Sequence, residues 1–130
     1  MVDTRSIVDL AYAKVEMLEN NIVRVKFNDS YSIGVDECRE VNNAIGVVTN
    51  GTPARILMIP EYATQFDTGA REFSASDEGL QFTIADAMVI TNLAHKILVS
   101  FYLKFDKPKK PTKAFNNESD AISWLLKQNS

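Results

Sequence analysis

His95, Cys38 and Asp86 have the side chains best suited to chemistry in this chain, and their spacing limits what each can do. The chain has 1 His and 1 Cys. A catalytic histidine needs a nucleophile and an orienting acid nearby. His95 falls one turn into an apolar helical stretch, with Asp86 near the far end of the preceding strand and Cys38 on a different helix. It reads as an ordinary helix histidine. Cys38 stands near a helix start, where a thiolate is favoured. It shares an apolar stripe with Val41 and Ile45, however, and reads as a packing residue. These two residues make no metal cluster of the usual spacing. GxGxxG, P-loop and GxSxG motifs are absent. No catalytic residue, metal ligand or cofactor is assigned, and the chain reads as non-enzymatic.

Asp86 is unusual within the apolar run Ala85 to Ile90. Strand alternation puts Ala85, Ala87 and Val89 on one face and Asp86, Met88 and Ile90 on the other. In mid-strand Asp86 would be a buried carboxylate with a perturbed pKa. At the strand's start it would simply reach solvent, and that reading is preferred. Lys104, Lys107, Lys109, Lys110 and Lys113 cluster with only Asp106 opposing them. They suit either an acidic or phosphate-bearing partner or a solvated loop that blocks edge pairing.

The elements that position these residues follow from periodicity. Ala11 to Met17 and Ile22 to Phe27 alternate with period two around Asn20-Asn21, which predicts a β-hairpin. Asp36 is expected to cap a helix with Cys38, Val41, Ile45 and Val48 inward, stopped at Asn50-Gly51. Arg55 to Pro60 reads as a central strand, and Asp67 as the cap of a short helix over Thr68 to Ser74. The strand Ala85–Ile90 then leads through Thr91-Asn92 into a helix. Leu93, Ala94, Ile97, Leu98, Phe101 and Phe105 form its main apolar stripe. A proline-bounded connector follows, then a strand at Thr112 to Phe115 and a final helix capped at Asn117. The order is ββαβαβαβα, an α/β fold with a mostly parallel mixed sheet, an N-terminal β-hairpin and helical cover.

A chain of 130 residues that is 45% hydrophobic supports one domain, 1–130, with its own core. The net charge of -3 argues against nucleic acid as a partner. A single thiol, no visible signal peptide and apolar runs shorter than the roughly 20 residues of a bilayer span lead to the expectation of a cytoplasmic protein without membrane insertion.

The element order and two stretches resemble the STAS superfamily, and within it the SpoIIAA-like proteins (bacterial anti-sigma-factor antagonists and their uncharacterised relatives). One stretch is Ile56–Ile59 with Asp67-Thr68-Gly69 after it. The other runs from Ala85 through Lys107-Pro108-Lys109-Lys110-Pro111-Thr112 to Trp124-Leu125. The resemblance implies a non-enzymatic regulatory module that binds a protein partner. Thr68, with Asp67 before it, falls at about the place of the family's phospho-acceptor. A phosphate there would meet free amides at a helix start. Read without the resemblance, Asp67 simply caps a short helix.

The alternative function is a small-molecule or lipid carrier, because the fold is similar to lipid-binding relatives. Its pocket is expected at the carboxyl ends of the strands, near Tyr62, Thr91 and Asn92. Val99, Tyr102 and Leu103 fall off the main stripe of their helix. They are assigned either to a homodimer interface, the preferred use, or to deeper burial in the monomer.

Overall fold

The computed structural model describes residues 7–28 and 31–129. A six-stranded sheet runs in the order β1 (Ile7–Asp9), β2 (Ala13–Leu18), β3 (Ile22–Phe27), β5 (Ala54–Ile59), β7 (Thr83–Val89), β8 (Thr112–Phe115). The first three strands pair antiparallel, and β3, β5, β7 and β8 run parallel. Two further short strands, β4 (Ser32–Ile33) and β6 (Gln65–Phe66), pair with each other. Helices α1 (Val35–Val48), α2 (Thr68–Ala75) and α3 (Leu93–Phe101) connect the parallel strands, and α4 (Glu118–Leu125) ends the chain. The fold is α/β with a mostly parallel mixed sheet. β1 and the β4–β6 pair are additions to the expected order.

Local sequence explains most boundaries. Asn20 and Asn21 take positive φ of 63° and 57° to turn β2 into β3, a conformation asparagine tolerates better than most residues. α1 stops where Asn50 and Gly51 adopt the same left-handed region, with φ of 53° and 77°. Asp67, Asn92 and Asn117 cap α2, α3 and α4 by accepting from the amides of Ala70, His95 and Asp120. The expected cap at Asp36 is corrected to Gly34, whose amide donates to the Glu37 carboxylate at 2.7 Å.

The sheet has two cores. On one face Val23, Val25, Phe27 and Ile56 pack against Val41, Ala44, Ile45 and Val48 of α1. On the other, Leu57, Ile59, Ala85, Ala87 and Val89 meet Ala121 and Leu125 of α4. The alternation in β7 therefore turns Asp86 and Met88 toward the face covered by α1, α2 and α3.

Helix α3 is rotated from the phase expected, and of the expected stripe Leu98 still faces inward. Its inward residues are His95, Val99 and Tyr102, and Leu93, Ile97, Phe101 and Phe105 are exposed. The cause lies at its first turn. His95 Nε2 is 2.6 Å from the Thr64 carbonyl oxygen, and its Nδ1 lies 3.2 Å from Asn92 Nδ2. Since the carbonyl can only accept, Nε2 carries the proton and Nδ1 accepts from Asn92. Asn92 also donates to the Tyr62 carbonyl, which fixes the helix entry. With His95 turned in, the three- and four-residue steps carry Val99 and Tyr102 inward too. A π-helical turn, Tyr102–Asp106, prolongs α3 and closes at Lys107 with φ 48°.

Candidate functional site

A half-open cleft lies between the sheet and helices α1, α2 and α3. Its outer lobe, about 80 Å³, is walled by Phe27, Met58, Phe66, Met88, Ile90, Leu98 and Val99, with Arg71 and His95 also lining it. An adjoining inner lobe of about 60 Å³ shares Phe27, Cys38, Met58, Ser74, Met88 and Tyr102 with it and adds Asp86, Asn42, Thr83 and Gly79. By volume the outer lobe has room for about three waters. Gly79 can be only glycine here: a Cβ would lie 2.1 Å from the Phe73 carbonyl oxygen.

Asp86 is 8% exposed and Tyr102 4%. Asp86 is the fourth residue of β7, paired with Ile56 on one side and Thr112 on the other. The expectation that it reaches solvent is therefore corrected: the strand begins three residues earlier, at Thr83. Among the described residues no group bonds to its carboxylate. Burial alone pushes its pKa up to about 7. The Tyr102 hydroxyl is buried with no hydrogen-bond partner. Its pKa is raised by burial first and by the nearby Asp86 second. Burial also pushes the Cys38 thiol up to about 11, so the helix start does not activate it and it packs beside Ala70.

Other polar groups around the cavity are engaged. Arg71 forms an ion pair with Asp106 and stacks over the Phe101 ring at 4.6 Å. Asn42 donates to the Glu78 carbonyl and Ser74 to the Ala70 carbonyl. Among the described residues no group of three or more His, Cys, Asp or Glu stands close enough to hold a metal ion.

The remaining expected site residues fall in several places. Thr68 is exposed at the first position of α2, directly after its cap Asp67. Tyr62 is 75% exposed and Thr91 is exposed, so neither side chain lines the cavity. Asn92 acts one step removed, by holding His95. The assignment of Val99 and Tyr102 to a dimer interface is corrected, because both are buried against the cavity; Leu103 remains on the surface. The lysine cluster is exposed, and Asp106, its expected counter-charge, is committed to Arg71. Tyr102 follows the alternative of deeper burial in the monomer, and Arg71 is a cavity residue that the sequence did not single out. The signal for Tyr102 was its three- and four-residue spacing from His95 through Val99, a stripe parallel to the more apolar one.

Among the described residues these features define an α/β domain with four α-helices and a half-open, largely apolar cleft lined at one end by a mostly buried carboxylate. Residues 16–129 match the model of a family described as a domain of unknown function (DUF7793), and the chain belongs to that family. No curated protein and no solved structure matches it. No helix of the described residues is long and apolar enough to cross a membrane.

Proposed function

We propose that this domain is a non-enzymatic binding module of SpoIIAA-like type that takes a small, mostly apolar molecule into the cavity beneath α2 and α3. One observation carries this reading. The Tyr102 hydroxyl is fully buried without a hydrogen-bond partner, and the mostly buried Asp86 carboxylate, with no ion-pair partner among the described residues, lines the same lobe. A buried hydroxyl such as that of Tyr102 costs about 1–3 kcal/mol when left unsatisfied. Polar groups without partners in an apolar cavity are the usual mark of a site shaped for an occupant. The test is fragment screening by amide chemical shifts on the labelled protein. Perturbations should gather at Cys38, Ser74, Met88 and Tyr102. Shifts scattered over the surface, or none at all, would rule the cavity out as a site.

A protein partner is the second reading, favoured by the outer face of α3. Leu93 (72% exposed), Ile97 (61%), Phe101 and Phe105 lie open to solvent. Lys96 and Lys104 share the segment, with Lys107, Lys109, Lys110 and Lys113 in the chain that follows. An apolar patch edged with carboxylates would complement this face. Two copies face to face would set lysine against lysine, so we favour a different protein over a homodimer. Thr68 would be the point of control. Replacing it with Ala and with Glu should shift partner affinity in opposite directions; equal affinity in both would remove the phosphate switch.

A further inference from the structure

We propose that the cavity's ligand is a small apolar amine, its ammonium group meeting the Asp86 carboxylate in the inner lobe and its apolar body lying in the outer one. This rests on the cavity being a binding site and adds the chemical class of what it binds.

The ionisable groups that face the cavity are Asp86, Tyr102, Cys38, Arg71 and His95. The one cation among them that is always charged, Arg71, is neutralised by Asp106. Both nitrogens of the His95 ring are engaged, with Thr64 and Asn92. Cys38 and Tyr102 are held in their protonated forms by burial. Asp86 is therefore the single group that can bring an uncompensated charge into the cavity, and that charge is negative. A buried charge is tolerated when it is paired and hydrogen-bonded.

Three head groups can be compared at equal size. A carboxylate would be repelled by Asp86. A hydroxyl could offer Asp86 one neutral hydrogen bond. An ammonium supplies the opposite charge and three donors, enough for Asp86 and for the unpartnered Tyr102 oxygen together, and charge-assisted bonds are about twice as strong as neutral ones. The walls beyond are Phe27, Met58, Phe66, Met88, Leu98 and Val99, which ask for hydrocarbon. The two lobes together approach the roughly 150 Å³ that takes a benzene ring, and both are half open, so the rest of a small ligand extends toward the mouth.

Titration calorimetry at about pH 8 with phenethylamine, 2-phenylethanol and phenylacetate separates the cases. The amine is expected to bind at least about tenfold tighter than the alcohol, and phenylacetate not measurably. Asp86→Asn should cost the amine at least about tenfold and leave the alcohol nearly unchanged. Tyr102→Phe should cost the amine a few-fold. In the wild type the amine should weaken by about tenfold per unit as pH falls below about 7, since one proton must leave Asp86 on binding; Asp86→Asn should be flat over the same range. The wild-type pH profile needs no variant, so the inference stays testable even if a variant folds poorly. If the alcohol or phenylacetate binds as well as the amine, or the amine ignores Asp86→Asn, the amine assignment is wrong and the cavity reading survives. If none of the three binds, both fall.

Discussion

Asp86 gives the fold a pH dependence of unusual sign for an aspartate. Its carboxyl, ordinarily near 3.8, is pushed up to about 7 in the folded chain by loss of water alone. Below about pH 4 folded and unfolded chains both hold the proton and burial carries no charge penalty. Between about 4 and 7 the unfolded chain has released its proton while the folded chain keeps it. The folded state then binds more protons, and stability falls as pH rises. Above about 7 both are ionised and the penalty stays constant. Asp86→Asn should therefore be more stable than the wild type at about pH 8, by an amount on the order of a few kcal/mol, with the gap closing toward pH 4. Urea unfolding at several pH values checks this; parallel curves for the two proteins would show that Asp86 is solvated after all. The alternation of β7 in the sequence already set Asp86 with Met88 and Ile90. What the sequence did not reveal was how far the strand extends before it. Thr83 and Ile84 are β-branched and favour a strand, but the turn residues Ser76 to Gly79 lie close before them and obscure where it starts; that two-residue extension moves Asp86 from an end to the buried middle.

The elements themselves were readable wherever a backbone requirement selects a residue type. Asn20-Asn21 at a tight reversal, Asn50-Gly51 at a helix stop, and Asp67, Asn92 and Asn117 at helix starts all act through local chemistry. The phase of α3 was not readable, because two apolar stripes compete and the choice is made by His95, through a bond to Thr64 far away in sequence. A second long-range contact holds the same element at its other end. Arg71 of α2 pairs with Asp106 of the π-helical turn and covers Phe101, and both charged side chains are mostly buried. Asp106→Ala would leave the Arg71 charge without its partner at low exposure. A loss of about 2–3 kcal/mol is expected, with Asp106→Asn recovering part of it by keeping an acceptor. Amide exchange should speed up selectively from Tyr102 to Lys113. Uniform acceleration across the sheet would instead mean that the pair supports the whole fold rather than this turn.

Across the whole molecule, charge and apolar surface are both unevenly placed. The chain carries -3 overall, yet from Leu93 to Lys113 its charged residues are six lysines and one aspartate already paired with Arg71. The same segment displays Leu93, Ile97, Phe101 and Phe105. The α4 side shows the opposite arrangement, with Arg24 clamped to Glu118 and Arg55 bonded to the Gln128 carbonyl, so that its edge is closed by internal contacts. If the outer face of α3 were a poorly buried piece of the core, introducing charge there would destabilise the fold. If it is a docking face, the fold should not notice. Ile97→Glu is expected to change unfolding free energy by less than about 0.5 kcal/mol, because the side chain already faces water. By sedimentation the wild type should be a monomer, since self-pairing through this face opposes like charges. A wild-type dimer that Ile97→Glu converts to monomer would overturn the choice of a different protein and make a second copy the occupant. A monomer in both cases, with unchanged stability, leaves an apolar, lysine-edged surface that the isolated chain does not cover for itself.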